Sequence, residues 1–213
     1  MKIIGSLLVA LMMGSPAMAN QDSVQHISKL EVNRKKKEVF AGRDSVLRLH
    51  IDTLIMHDRV QLVFLGKKHV ELTADHVEMA KRAYIFGTDG KNNGTDFNID
   101  MRFEELGALY VLAGGQDANN NGSRTYPNGD GGTVNFVYRK AGIMPQTADR
   151  KSPHYLRIDT RAGGYRGTPQ NELRNIYGLI NSGPIGRPLG RLSQGTVYSG
   201  SPGTDGTSTI TAK

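Results

Sequence analysis

The fold of this chain is decided by two segments, LRLHID at residues 47–52 and VELTAD at residues 70–75. They lie 23 residues apart, and the same shift aligns further apolar pairs: Leu54 with Val77, Met56 with Met79, Val60 with Ala83, and Leu62 with Ile85. A looser third copy begins at Phe97 and closes at residues 109–114. A repeat of this length indicates one supersecondary unit stacked on itself.

Within each copy, apolar and polar residues alternate. Leu47, Leu49 and Ile51 point one way, whereas the polar residues between them point the other way. Period-two alternation indicates a strand with one buried face. We predict three short strands per coil and core ladders of equivalent residues: Leu47/Val70/Phe97, Leu49/Leu72/Ile99 and Met56/Met79.

The predicted fold class is therefore all-β, a short parallel β-helix of about four coils. Good helix formers at residues 74–84 and 102–112 leave an α/β fold with a parallel sheet as the alternative. The equivalent segment one coil earlier, residues 53–65, is strand-like throughout. Equivalent repeats should share a structure, which favours the β-helix.

Five regions are expected along the chain. Residues 1–19 are expected to be a signal peptide, with Lys2, an apolar run at residues 3–13, and the A-x-A sequence at residues 17–19. The apolar run is shorter than a membrane span of about 20 residues. An N-terminal cap (20–45), the β-solenoid (46–142), a C-terminal cap (143–192) and a Gly/Ser/Thr-rich tail (193–213) follow. The C-terminal cap contains a predicted helix at residues 168–180, N-capped by Thr168.

The charge is positive, at +7 for the whole chain and +6 once Lys2 is removed with the signal peptide. This balance fits either solvated surface charge or attraction to an anionic polymer outside the cell. The basic run lies in the N-terminal cap, where it predicts a solvated end or a polyanion-binding patch: Arg34, Lys35, Lys36 and Lys37. Export disfavours nucleic acid as the partner. Cysteine is absent, which excludes disulfides and thiolate metal sites.

A Gly/Asn-rich segment at residues 114–132 is expected to protrude between coils. It contains Asp117, Asn119 and Asn121 at alternate positions before Gly122, with Asp130 further on. Alternate oxygen ligands followed by glycine resemble the opening of a calcium-binding loop. The bidentate glutamate of such loops is missing, so the segment predicts either a weak calcium site or a polar turn.

Neither the histidines nor the aspartates give a clear catalytic pattern. His50, His57, His69 and His76 do not align on the repeat, which predicts solvated side chains without a transition-metal cluster. Asp52 and Asp75 do align on the repeat. Their alignment predicts either that both cap turns or that they form a proton-sharing pair. No nucleophile elbow, phosphate-binding loop or zinc-protease motif occurs.

The stacked pattern of residues 70–90, with Gly/Asn-rich excursions ending at residues 131–134, resembles secreted bacterial right-handed parallel β-helix proteins. These are the pectate-lyase-like and autotransporter-passenger type, and the resemblance spans about residues 45–142. It implies a right-handed solenoid and a cell-surface or polysaccharide-associated role. In some members it implies calcium-dependent polysaccharide cleavage, but the catalytic basic residues of those enzymes match no position in this chain.

Three functions remain open from the sequence. The preferred hypothesis is an exported, non-enzymatic β-solenoid at the bacterial surface that binds envelope or matrix polysaccharide or a host surface. The alternative is a calcium-dependent polysaccharide-degrading enzyme. The third is a subunit of an oligomeric surface assembly.

Overall fold

A computed structural model describes the protein over residues 24–121, 124–164 and 202–213. These residues form eleven strands and no helix, with bounds β1 Gln25–Val32, β2 Lys37–Phe40, β3 Val46–Met56, β4 Val60–Leu65, β5 His69–Thr88, β6 Asp96–Leu112, β7 Asn119–Asn121, β8 Arg124–Tyr126, β9 Val134–Tyr138, β10 Tyr155–Asp159 and β11 Ser208–Ala212. The expected signal peptide and the expected helix at residues 168–180 lie outside this range. Nowhere in it does a helix meet the length and hydropathy that a membrane span requires.

The predicted all-β solenoid is confirmed: parallel strands stack in a β-solenoid of about 3 turns. The full turns are β3 with β4, then β5, then β6, and partial turns flank them on both sides. Each turn consists of two extended segments joined at a corner, and we call these segments the first and second arms. The first arm stacks β1, β3, the first half of β5, the first half of β6, β9 and β11. The second arm stacks β2, β4, the second half of β5, the second half of β6, and β10.

The prediction of three short strands per coil was wrong. The expected second strand at residues 54–56 is the continuous end of β3. In the next two turns the arms join without a break, because register irregularities between Ala74 and Arg82 bend the strand instead of ending it. A β-bulge bends a strand in this way while the ladder continues on either side. The helical alternative is excluded, because residues 74–84 and 102–112 lie within β5 and β6.

The predicted ladders are confirmed residue by residue. Leu49 pairs with Leu72, which pairs with Ile99, and Met56 pairs with Met79. All five side chains are at most 2% exposed. Stacking identical or similar apolar side chains from successive strands removes their surface from water, and this burial is the main stabilisation of a fold without disulfides.

Strands also occur in both terminal segments. β1 and β2 lie within the expected N-terminal cap and form a partial turn in register with the next one, with Val32 beside Met56. β11 lies within the expected C-terminal tail and pairs with β9 through residues 208–212. Period-two alternation is short in these segments, so the sequence repeat did not reveal them.

The ends of the Gly/Asn-rich segment do not protrude. Five backbone segments pack side by side here: residues 92–95, 113–117, 128–133, 160–164 and 202–206. Hydrogen bonds link them; for example, Gly131 N donates to Thr204 O at 2.9 Å and Gly115 N donates to Arg161 O at 2.8 Å. A Cβ on Gly131 would lie 1.8 Å from the carbonyl oxygen of Thr160. Only glycine allows such an approach, and we call this packed set the glycine bundle.

Candidate functional site

The predicted basic residues lie at the corner between the two arms. The corners of three successive turns, residues 33–37, 57–59 and 80–82, stack because the residues on both sides are in register. Backbone hydrogen bonds join them, with Lys35 N donating to Asp58 O at 3.0 Å and Arg59 N donating to Arg82 O at 2.7 Å. The corner therefore brings the predicted run together with cations that the sequence analysis did not connect with it.

These corner segments carry seven cationic side chains and one carboxylate, Asp58. We call the cations the basic corner: Arg34, Lys35, Lys36, Lys37, Arg59, Lys81 and Arg82, all exposed. The arginines surround Asp58, with nitrogen–oxygen distances of 3.8 Å for Arg34, 3.5 Å for Arg59 and 3.8 Å for Arg82. One carboxylate cannot neutralise this set, so the corner carries net positive charge.

A ladder of outward side chains on the second arm runs beside the basic corner. Consecutive members are in register across five strands: Lys37, Gln61, Tyr84, Tyr110 and Arg157. The rings of Tyr84 and Tyr110 stack at 5.2 Å, and a hydrogen bond to Tyr110 raises the pKa of Arg150. Arg82 lies two residues before Tyr84, so both project from the same face. We call this ladder the tyrosine strip.

The predicted calcium ligands lie near the glycine bundle. Asn119 and Asn121 fall in β7, which pairs with β8 as an antiparallel hairpin. Asp117 Oδ1 accepts a hydrogen bond from Gly164 N at 2.7 Å, and Asp130 Oδ1 accepts one from Thr204 N at 2.7 Å. Both aspartates thus cap backbone segments of the bundle. The calcium site remains a prediction.

A cavity of about 690 Å³ opens between the second arm and the glycine bundle. Three carboxylates line it, those of Asp117, Asp159 and Asp205. A hydrogen bond from Arg161 lowers the pKa of Asp159, and Asp205 Oδ1 accepts a hydrogen bond from Ala162 N at 2.7 Å. Each carboxylate therefore already holds a structural partner within the bundle.

The first arm presents a row of histidine–carboxylate and arginine–carboxylate contacts that cross the turns. His26 contacts Asp52 at 2.7 Å, and His50 contacts Asp75 at 2.8 Å. Arg139 then bridges Asp75 and Asp100, at 2.8 Å to each. The hydrogen bonds from His50 and then from Arg139 lower the pKa of Asp75. His50 and Arg139 therefore favour the carboxylate form of Asp75. A proton-sharing pair with Asp52 would raise a carboxyl pKa, so such a pair does not form.

The sequence analysis missed the contribution of His26. It correctly aligned His50 with Thr73 and His76 with Thr53, and these residues are register partners. However, His26 is the register partner of His50, and their ring centroids lie 5.3 Å apart. The 24-residue separation of the two histidines in the sequence was the available signal, but His26 lies in the segment 20–45 that was predicted to be a cap and not a turn of the repeat.

Comparison with known proteins assigns the chain to no family. No protein-family profile matches the sequence, and no match was found among the curated proteins or the solved structures. The resemblance to the pectate-lyase-like and autotransporter type is therefore one of solenoid architecture.

Proposed function

We propose that this protein is a non-enzymatic module that binds an acidic polysaccharide along the outer face of its second arm. One observation carries the proposal: the basic corner gathers seven cations from three turns directly beside the stacked tyrosines of the tyrosine strip. Charge alone would suit any polyanion, and the aromatic rings alone would suit any apolar ligand. Their position on one continuous surface suits a polymer that carries both carboxylates and sugar-ring faces.

The basic corner supplies the electrostatic part of the proposed binding. Strands in a sheet lie about 4.8 Å apart, so cations from successive turns form a closely spaced row. The field of such a row attracts a polyanion whose charges also repeat along its length, and salt weakens that attraction. On β6, Glu105 is the register partner of Glu78 of β5, so two carboxylates border the positive surface in that direction.

The tyrosine strip supplies the part of the binding that depends on shape. Tyr84 and Tyr110 are half-buried, so each residue is partly accessible to a ligand. The amphipathic ring of tyrosine buries apolar surface and still offers its hydroxyl for hydrogen bonding. Arg150 and Arg157 beside the rings extend the cationic surface beyond the corner.

Export to the bacterial envelope or beyond would place this surface among anionic polysaccharides. The predicted signal peptide at residues 1–19 supports that location. A protein that holds a polymer for adhesion needs a surface of this kind and no catalytic group.

The ligand side of the proposal is tested with two polymers that differ only in charge. Polygalacturonate and its fully methyl-esterified form share a backbone, so binding measured by calorimetry isolates the carboxylates. We expect saturable binding of polygalacturonate that weakens as salt rises from 0.05 to 0.5 M, and much weaker binding of the ester. Equal binding of both polymers would refute the proposal. New unsaturated chain ends formed in the presence of calcium would instead identify a lyase.

A further inference from the structure

We propose that His26, His50 and Asp52 bind a divalent transition-metal ion, with Asp75 as the fourth ligand. Among the described residues, one ligand atom from each of His26, His50 and Asp52 lies within 4.8 Å of the other two. Nitrogen and oxygen donors of this kind suit Zn²⁺, Ni²⁺ and Cu²⁺ better than Ca²⁺. The site lies on the first arm and shares no residue with the basic corner or the tyrosine strip.

The stacking of the strands brings the ligands together. The β1–β3 ladder places His26 beside His50, because the two are direct register partners. Asp52 follows His50 by two residues and therefore projects from the same outward face of the strand. Asp75 lies on the next turn and reaches His50 from the other side. The four donors thus come from three successive strands, β1, β3 and β5.

Three donor–donor separations are compatible with a tetrahedral ion. Asp52 Oδ1 lies 2.7 Å from His26 Nε2 and 3.5 Å from His50 Nε2, and Asp75 Oδ2 lies 2.8 Å from His50 Nε2. Bonds of about 2.0–2.2 Å in a tetrahedral zinc site place the donor atoms about 3.3 Å apart. The measured separations fall on both sides of that value. Binding therefore requires only small changes in these three separations.

The surroundings of the site allow a metal ion to enter and orient the carboxylate of Asp75. The side chains of His26, His50 and Asp52 are 57%, 36% and 43% exposed, so an ion reaches them directly from solvent. Arg139 Nη1 holds the other oxygen of Asp75, Oδ1, at 2.8 Å. This contact leaves Oδ2 directed at His50, in the way that outer partners orient the ligands of metal sites.

Metal binding is measured on the protein prepared without a polyhistidine tag and stripped with a chelator. Titration with ZnCl₂ by calorimetry is expected to show saturable binding of one ion per chain. Titration with Co²⁺ is expected to give the intense visible absorption of a four-coordinate site. No saturable Zn²⁺ binding up to 1 mM, or Co²⁺ spectra typical of six water-like ligands, would overturn the proposal.

Histidine variants locate the site. We expect His26→Gln and His50→Gln each to weaken Zn²⁺ binding by at least about tenfold, because each removes one ligand. His57→Gln and His69→Gln are matched controls, since each removes an imidazole that contacts one carboxylate, Glu31 at 3.0 Å or Asp96 at 3.1 Å. Equal Zn²⁺ affinity in the His26→Gln/His50→Gln double variant and in the controls would refute the assignment. Circular dichroism of each variant verifies that it is folded.

Discussion

Arg82 and Asp58 meet across two turns of the solenoid, with Arg82 Nε 3.8 Å from Asp58 Oδ1. This oxygen is buried and accepts no hydrogen bond within the described part of the chain. The contact is therefore one of charge without a close hydrogen bond. Asp58 lies among three arginines and reduces the repulsion between them, while it also reduces the positive potential that a polyanion would meet.

Asp58→Asn separates these two effects. Removing the carboxylate raises the net charge of the corner by one, and we expect polygalacturonate to bind about two- to threefold more tightly at low salt. The same change removes an attraction that holds the corner, so the melting temperature should fall. Calorimetry and thermal unfolding measure the two quantities on one sample. Unchanged polygalacturonate affinity in the folded variant would mean that the polymer does not contact the corner.

Tyr84→Val tests the tyrosine strip without changing charge. Valine retains strand propensity but removes the ring that stacks on Tyr110. We expect polygalacturonate affinity to fall about fivefold, which corresponds to about 1 kcal/mol. The salt dependence of the remaining binding should be unchanged because no cation is lost. An affinity equal to that of the unaltered protein would exclude contact with the strip.

Gly131→Ala tests the glycine bundle. Its Cβ would lie 1.8 Å from Thr160 O, so the backbones must separate, and we expect a loss of at least about 2 kcal/mol in the free energy of unfolding. Gly114→Ala is the matched comparison, because its Cβ would lie 3.0 Å from Arg161 O. Urea unfolding should show a clearly smaller loss for Gly114→Ala. Equal stabilities of the two variants would show that the bundle is not closely packed.

Asp75 gives the fold an acid dependence. Its pKa is lowered from 3.8 by hydrogen bonds from His50 and Arg139. A lowered carboxyl pKa contributes stability that is complete above the unfolded value and is lost as the pH falls through the folded value. We expect melting temperatures to drop below about pH 4, and Asp75→Asn to flatten that drop. Glu78→Gln, at an exposed carboxylate on the same strand, is the control. An unchanged acid profile in Asp75→Asn would contradict the pairing.

The register of the ladders could be predicted from the sequence because buried residues recur both along each strand and from one turn to the next. Leu49, Leu72 and Ile99 alternate with polar neighbours along the chain and recur between turns, so a shift of one residue would expose the whole set. The two-arm shape could not be predicted in the same way. It depends on the irregularities of β5 between Ala74 and Arg82, where the apolar alternation breaks. From sequence, such a break predicts the end of a strand as readily as a bend within one.

The candidate surfaces were predictable only in part. The run from Arg34 to Lys37 was recognised from its charge, but its continuation through Arg59 and Arg82 depends on how corners stack. The pairing of His26 with His50 was missed for a related reason, since it needs the first partial turn to be in register with the second. Contacts between turns join residues more than 20 positions apart, and only a complete register reveals them.

Two triple variants that lose the same charge test whether polymer binding depends on the basic corner. Lys36→Gln/Lys37→Gln/Lys81→Gln removes three exposed cations from the basic corner, and Lys68→Gln/Lys91→Gln/Lys140→Gln removes three exposed cations elsewhere. Polygalacturonate affinity is measured for both at 0.05 M salt. The account predicts a loss of at least about tenfold in the corner variant and a loss below about twofold in the control. Equal losses in the two variants would contradict it, because binding would then depend on net charge and not on the corner.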